Sequence, residues 1–294
     1  CGPFGNIAHG CNSIIATRMA LAYGDDVVTE AGFGFDLGAE KFLDIKCRVV
    51  EMWPRGVVLV ATHRALKMHG GVPVAKSGEP NVPALTVGLA HLNKHLETLA
   101  TYGLPAVVAV NGFPNDTEEE RAALTEYGRA RGVTVVRHEG FARGGEGSLE
   151  MADGGLDMRA HTDAHPPQPH FLYDLSDPPV EKVRKVAKAV YGADDVGFTP
   201  GALKDCDAAA RLGGAELPVC VAKTHLSLTD DPARPGRPRG FVITVREVRL
   251  AAGAGYLVPL TGDIMTMPGL PKEPAARRVV VHPDGTVTGL MQGE

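Results

Sequence analysis

The chain has 294 residues, of which 44% are hydrophobic and 22% are charged, and this length suits two or three compact units of roughly 100–200 residues each. Its formal net charge of −5 at pH 7 lacks the basic excess expected of a protein that binds nucleic acid or an anionic membrane. No apolar run approaches the roughly 20 residues of a membrane-spanning helix, and no signal peptide is recognisable.

The five cysteines are scattered along the chain, odd in number and without a CxxC pair: Cys1, Cys11, Cys47, Cys206 and Cys220. A disulfide framework or a structural zinc site would need closely spaced or paired cysteines. The pattern therefore predicts reduced thiols and a cytoplasmic protein.

Predicted helices and strands alternate in the first half of the chain. The predicted helices are Ile14–Tyr23, Glu40–Arg48, Ala84–Tyr102 and one that opens at Thr117 with Asp116 as its N-cap. The predicted strands are Val27–Ala31, Gly56–Thr62, Pro105–Asn111 and Val133–Arg137. Continuous apolar strands that alternate with helices are typical of a parallel sheet buried on both faces, so we predict a doubly wound α/β fold.

The second half has a different rhythm, which predicts an α+β arrangement. A Pro- and His-containing loop is expected over Arg159–His170. After it come predicted helices at Val180–Tyr191 and Pro200–Leu212, and short strands at Val219–Lys223, Phe241–Arg246, Tyr256–Leu260 and Val279–Val281. The run His282-Pro283-Asp284-Gly285-Thr286 is typical of a hairpin turn. We divide the chain into three domains, residues 1–93, 94–192 and 193–294.

A glycine-rich loop with two phenylalanines, Gly32-Phe33-Gly34-Phe35, stands between the predicted strand Val27–Ala31 and the helix after it. Glycines allow a ligand to approach the backbone, and the free N–H groups at a helix start attract anions. A flat ligand could stack on either ring. Packing of both rings beneath the loop is the alternative.

Three rings lie on loops that follow predicted strands: Phe33, Phe113 and Phe141. The carboxyl ends of parallel strands share one edge of a sheet, where α/β folds bind their ligands. Although each ring alone is better explained by packing, the repeated placement favours one flat aromatic ligand held among them.

Other familiar sites are not supported by the sequence. Gly32, Gly34 and Gly38 form GxGxxxG, one residue off the dinucleotide fingerprint, and the next strand ends without the acidic residue that would hold a ribose. A nicotinamide oxidoreductase is therefore disfavoured, and no Walker A loop GxxxxGK[ST] is present. The histidines at 91 and 95, and those at 161, 165 and 170, lack further ligands in register, so we interpret both groups as solvated and predict no metal site.

Several long blocks, in this order, resemble the formate–tetrahydrofolate ligase family. They are Gly2-Pro3-Phe4-Gly5-Asn6-Ile7-Ala8-His9-Gly10, Val27-Val28-Thr29-Glu30-Ala31-Gly32-Phe33-Gly34, Ala65-Leu66-Lys67-Met68-His69-Gly70-Gly71, Ala222-Lys223-Thr224-His225-Leu226-Ser227-Leu228 and Gly262-Asp263-Ile264-Met265-Thr266-Met267-Pro268-Gly269-Leu270-Pro271. The matches extend from the first residue to Gly289-Leu290. No single block is decisive, and the resemblance rests on their number and order.

This resemblance implies an enzyme of one-carbon metabolism that uses ATP with Mg²⁺ to join formate to tetrahydrofolate, giving 10-formyltetrahydrofolate through formyl phosphate. It implies that Phe33, Phe113 and Pro114 hold the folate ring, and that Phe141 stands where the family more often has a tryptophan. It also implies a homo-oligomer, commonly a tetramer, and a monovalent-cation requirement. The three domains would be the end of the nucleotide-binding domain, a folate-side α/β domain and an α+β domain.

The resemblance also places Asn6, His9 and Gly32 on the nucleotide or formyl phosphate side. A purely structural role for His9 stays open. Arg137 stands where the family tends to have a leucine, and Phe141 offers a smaller stacking surface than a tryptophan would. The folate pocket is therefore expected to be weaker, or shaped for a different polyglutamate or reduced-folate form.

The family carries its phosphate-binding glycine loop, its lysine and the arginine that holds formyl phosphate in an N-terminal half, and none of these is recognisable here. With no initiator methionine before Cys1, we predict a C-terminal fragment that is inactive alone and contains no catalytic residue that we can assign. A processed terminus is the alternative reading of the chain start. The alternative function is a non-catalytic folate-binding or regulatory chain.

Overall fold

A computed structural model describes residues 11–262 and 272–289. The first sheet has three parallel strands in the order β1 (Val57–Ala61), β2 (Ala106–Asn111) and β3 (Thr134–His138). Leu59 pairs with Val108, and Val108 pairs with Val135. The predicted strands at these three places are confirmed. The mixed α/β class with a parallel sheet is also confirmed, whereas the doubly wound arrangement stays a prediction.

The helices before and between these strands are α1 (Ile14–Tyr23), α2 (Phe35–Lys41), α3 (Arg48–Val50), α4 (His63–His69), α5 (Val82–Thr101) and α6 (Glu118–Arg131). A π-helical stretch, Phe42–Cys47, joins α2 to α3. The helix therefore starts five residues before the predicted Glu40. The predicted helix over Ala84–Tyr102 is confirmed as α5, and the division after residue 93 falls inside it and stays a prediction.

Leucines of α4, α5 and α6 pack against one face of the first sheet. The buried residues of the core between these helices and the sheet are Leu59, Leu66, Leu85, Leu89, Leu92, Val108, Val110 and Leu124. Gly88 lets α5 approach α4, because a Cβ there would overlap the carbonyl oxygen of Leu66. The leucine stripe predicted on α5 is thus the side that faces the core.

Three sequence predictions for the chain up to residue 170 are wrong. Val27–Ala31 forms no strand, and only Ala31 makes an isolated bridge, to Cys11. Asp116 is not the N-cap of α6: Thr117 accepts from the Glu120 amide in a capping box. The Asp116 carboxylate instead accepts from the Phe113 amide.

The third error concerns the predicted loop Arg159–His170, whose first five residues belong to α8 (Leu149–Asp163). The short helix α7 (Gly140–Arg143) precedes it after β3. Gly154 lies against Val107 and Val136 on the sheet face opposite the leucine core. Because α8 contacts the sheet through a glycine, its sequence has no regular spacing of apolar residues. The helix could therefore not be predicted from hydrophobic periodicity.

The second sheet has the order β4 (Asp195–Phe198), β5 (Val242–Ala251) and β6 (Tyr256–Thr261), with β4 parallel and β6 antiparallel to β5. Helices α9 (Pro179–Val186), its π-helical continuation Ala187–Tyr191, and α10 (Pro200–Arg211) confirm the predicted helices. The strand predicted at Val219–Lys223 is an extended segment with two isolated bridges to β6. The predicted hairpin is confirmed by β7 (Val280–Val281) and β8 (Val287–Thr288).

Asp44, within the π-helical stretch, links this stretch to distant parts of the chain. The Tyr102 hydroxyl donates to its Oδ2 at 2.7 Å, and the Leu172 amide donates to its Oδ1 at 3.0 Å. Burial raises the pKa of Asp44 to about 6, against the opposing effects of these hydrogen bonds and of Arg48. Burial also raises the pKa of the neighbouring Glu40. The protonated form of Asp44 is thus favoured by folding.

We expect Asp44→Asn to flatten the pH dependence of stability between pH 4 and 7. A carboxyl whose pKa is raised on folding stabilises the fold fully below its unfolded pKa, and this contribution is lost as the pH rises through about 6. Urea unfolding should show the loss in the parent chain, roughly 2–3 kcal/mol, and a smaller one in the variant. Asp153→Asn, on an exposed part of α8, is the control. An unchanged pH profile in Asp44→Asn would contradict the assignment.

Candidate functional site

The carboxyl ends of β1, β2 and β3 meet at one edge of the first sheet, beside a cavity of ≈ 240 Å³. His63 follows β1, Phe113 follows β2 and Glu139 follows β3, and all three line the cavity. Parallel strands align their carboxyl ends, so residues far apart in sequence come together here. This cavity is the candidate site.

Two buried pairs connect α4 to the start of α6 beside the cavity. His63 and Lys67 are four residues apart on α4, and their partners Asp116 and Glu120 are likewise four residues apart. Nδ1 of His63 lies 2.9 Å from Oδ2 of Asp116, and Nζ of Lys67 lies 2.9 Å from Oε1 of Glu120. Because residues at i and i+4 share a helix face, the pairs form successive rungs of one ladder.

The Lys67–Glu120 rung is fully enclosed, since both side chains are 0% exposed. Glu120 also accepts from the amides of Asn81 and Thr117, and Lys67 donates to the Glu79 carbonyl at 2.8 Å. Burial alone would raise the pKa of Glu120, but these hydrogen bonds and Lys67 lower it. An ionised pair with further hydrogen bonds on both partners is what keeps charges tolerable in the interior.

The His63–Asp116 rung is joined to the predicted ring residue Phe113. The Phe113 amide donates to Oδ2 of Asp116 at 2.8 Å. Burial would raise the pKa of Asp116, but His63 and this amide lower it. The Arg64 guanidinium lies 4.1 Å from the centre of the Phe113 ring. One face of the ring is therefore covered, and a flat ligand would have to use the other.

The predicted ring residues are not all placed at this cavity. Phe113 lines it, and the neighbouring Pro114 is exposed. Phe141, on α7, is 72% exposed and does not line it. Phe33 belongs to a loop that follows none of the described strands, and Phe141 lies in the helix after β3, so of the three rings only Phe113 occupies a strand-end loop. That Phe33, Pro114 and Phe141 share a ligand with Phe113 stays a prediction.

Phe33 adopts a backbone conformation that L-residues rarely take. Its φ is +70°, and its ring is 46% exposed. Such strain in a bulky residue persists only where the surroundings impose it, and it is concentrated at functional sites. The glycine loop around it is tightly packed, because a Cβ on Gly38 would overlap the carbonyl oxygen of Gly32. Asn6 and His9 lie outside the described residues.

The start of α2 already has a negative charge close to it. Asp36, in its first turn, is buried and pairs with Nζ of Lys223 at 2.9 Å, and Lys223 also donates to the Thr224 carbonyl. Burial opposes ionisation of Asp36, but Lys223 lowers its pKa. The predicted attraction of an anion to this helix start is therefore satisfied in part by the protein itself.

His69, His91 and His95 form a cluster in which His95 is buried and the other two are partly buried. The prediction that His91 and His95 are solvated is therefore wrong. The rings of His69 and His91 stack at 3.6 Å, and the Nε2 atoms of His91 and His95 are 3.0 Å apart. Burial lowers the pKa of His69 to about 4 and that of His95 to about 3, so the cluster is neutral at pH 7. His161, His165 and His170 are exposed, as predicted.

Among residues 11–262 and 272–289, no group of three or more histidine, cysteine or acidic side chains is placed to hold a metal ion. None of the helices in those ranges combines the length and the apolarity that a membrane span requires.

The ladder residues His63, Lys67 and Glu120 were not identified from the sequence. The one feature that distinguishes these residues is that polar or charged side chains occupy positions of α4 and α6 that face the core. Because that signal needs the relative placement of the two helices, it becomes visible only in the tertiary structure.

The family model described as formate–tetrahydrofolate ligase matches residues 1–291. A formate–tetrahydrofolate ligase of Myxococcus xanthus (strain DK1622) is 67% identical over 293 residues, covering 100% of this chain and 53% of the relative. One of Paracoccus denitrificans (strain Pd 1222) is 51% identical over 296 residues, covering 98% of this chain and 51% of the relative. The chain therefore spans about half the length of these relatives.

We expect Lys67→Met to lower the free energy of unfolding by about 3–5 kcal/mol, because it leaves the Glu120 charge buried without its partner. Adding Glu120→Leu should restore much of the loss, since an apolar pair can replace a buried ion pair. Urea denaturation measures both changes. Lys76→Met, at an exposed position, should stay within about 0.5 kcal/mol of the parent. A loss below about 1 kcal/mol in Lys67→Met would show that the pair is not the constraint inferred here.

At position 33 we expect glycine to be more stable than alanine by about 1 kcal/mol, because only glycine accepts the positive φ without strain. Thermal and urea unfolding of Phe33→Gly and Phe33→Ala measure the difference. Position 28, where Val28 is 93% exposed and φ is not positive, should show the opposite order. Equal stability of the two position-33 variants would argue against strain.

Proposed function

The chain belongs to the formate–tetrahydrofolate ligase family, and on that premise we propose that the protein joins formate to tetrahydrofolate at the expense of ATP. The products would be 10-formyltetrahydrofolate, ADP and phosphate. The observation that carries this proposal for the chain itself is the cavity at the carboxyl edge of the first sheet, with Phe113 in its wall. We assign this chain the folate side of the reaction.

The cavity can hold only part of a folate. Its volume of ≈ 240 Å³ lies below the roughly 300–1,000 Å³ of pockets that enclose drug-sized ligands. We propose that it receives the pterin ring against Phe113, while Pro114, Phe141 and Phe33 contact the parts that remain outside. The exposure of Pro114 and Phe141 and the strain at Phe33 support this proposal.

The chemistry proposed for the whole protein proceeds through formyl phosphate. The N10 lone pair of tetrahydrofolate attacks the formyl carbon, the bond from that carbon to the phosphate oxygen breaks, and N10 loses its proton. Such a transfer depends on positioning and on stabilisation of developing charge. We assign no catalytic residue of this chain to it.

The residues of this chain do not by themselves fit a site for ATP with Mg²⁺. The sequence has no Walker A loop, and the described part of the chain has no cluster of metal-binding side chains. Gly32, with Asn6 and His9, is proposed only to face the nucleotide or formyl phosphate. By resemblance we also propose a monovalent-cation requirement, a homo-oligomer of tetrameric size and a cytoplasmic location.

A chimera tests the proposed activity. The first half of the Myxococcus xanthus relative would be fused to this chain in place of that relative's own second half, and formation of 10-formyltetrahydrofolate would be assayed with ATP, formate and tetrahydrofolate. We expect activity from the chimera and none from this chain alone. A folded, inactive chimera that still binds tetrahydrofolate would favour the alternative, a folate-binding or regulatory chain. No binding of tetrahydrofolate would contradict both.

Anaerobic calorimetric titration of this chain with tetrahydrofolate tests the ring contacts. We expect Phe113→Ala to weaken binding about tenfold or more, and Phe141→Trp to strengthen it a few-fold, because a larger aromatic face gains stacking. Leu212→Ala, at an exposed position, should leave the affinity unchanged. Unaltered binding in Phe113→Ala would remove this cavity from the folate site.

A further inference from the structure

We propose that Nε2 of His63 forms a hydrogen bond with a polar atom of the reduced pterin ring, and that His63 thereby positions the ligand and contributes to its selection. This inference rests on the proposed function, which names tetrahydrofolate as the ligand. It adds a polar anchor to a cavity for which the sequence predicted only aromatic contacts.

His63 is held in one place by its buried neighbours. Its side chain is 2% exposed, and that of Asp116 is 3% exposed. Nδ1 lies 2.9 Å from Oδ2 of Asp116, a close electrostatic contact whose geometry does not make a hydrogen bond. Asp116 accepts from the Phe113 amide. Nε2 is the ring nitrogen that has no carboxylate beside it.

Among the described residues, neither ring nitrogen of His63 has a hydrogen-bond partner, and only Nδ1 lies beside a carboxylate. Buried side-chain nitrogens nearly always have a partner, so one that lacks it in the wall of a cavity indicates a group supplied by a ligand. An imidazole nitrogen pairs with an N–H or O–H donor when it is unprotonated and with a carbonyl oxygen when it carries a proton. The reduced pterin ring offers both N–H groups and a carbonyl oxygen.

The same carboxylate places both recognition elements. Asp116 contacts His63 through the ring nitrogen and Phe113 through the backbone amide. A ligand stacked on the free face of Phe113 would therefore meet an imidazole nitrogen whose position is fixed relative to that ring. A stacked ring with one fixed polar contact is the usual way in which a mostly apolar pocket orients its ligand.

Anaerobic calorimetric titration with tetrahydrofolate tests the proposal on the full 294-residue chain. His63→Phe keeps a ring of similar shape and removes both nitrogens, and His63→Gln restores a side chain that can donate and accept hydrogen bonds. We expect His63→Phe to raise Kd about tenfold, and His63→Gln to recover much of the loss. His165→Phe, at an exposed position, is the control and should bind as the parent does.

The outcomes separate this inference from the proposed function. If the parent binds tetrahydrofolate and His63→Phe binds equally well, His63 is not an anchor, although the folate site stands. Loss of affinity in both His63 variants, without recovery by glutamine, would indicate a structural role and would also overturn the inference. If the parent does not bind tetrahydrofolate, both proposals fail. Thermal unfolding verifies that each variant is folded, and His63→Leu replaces His63→Phe if the latter is not.

Discussion

The buried ladder between α4 and α6 is the constraint on which the candidate site depends. Lys67 and Glu120 are enclosed completely, so neither charge has access to water if the other moves. Breaking such a pair is far more costly than its net contribution to stability. The start of α6 is therefore fixed against α4, and with it the loop that carries Phe113.

The ladder also explains why a charged pair and an aromatic ring occur side by side. The Asp116 carboxylate contacts His63 and the Phe113 amide, and it does not cap α6. Thr117 is the N-cap of that helix. The Arg64 guanidinium covers one face of the Phe113 ring. One face of the Phe113 ring is therefore left uncovered by Arg64 at this edge.

The second sheet is linked to the glycine loop through a different buried pair. Lys223, in the extended segment beside β6, reaches Asp36 at the start of α2. Helix α2 continues into its π-helical stretch, where Asp44 accepts a hydrogen bond from the hydroxyl of Tyr102, the residue directly after α5. The helix and this stretch together therefore contact both the end of α5 and the segment beside β6. Phe33 stands just before this anchored helix, which is consistent with its strained backbone being maintained.

The sequence by itself determined the three parallel strands, the leucine face of α5 and the family, because each follows from local periodicity or from blocks of residues in order. It also determined that rings follow two of these strands. Only the tertiary structure decided that His91 and His95 join His69 in one cluster, that α8 packs through Gly154 and that Asp116 faces His63. These features depend on which distant side chain is near, and burial changes the free energy of a charge or an imidazole far more than its neighbours in sequence do.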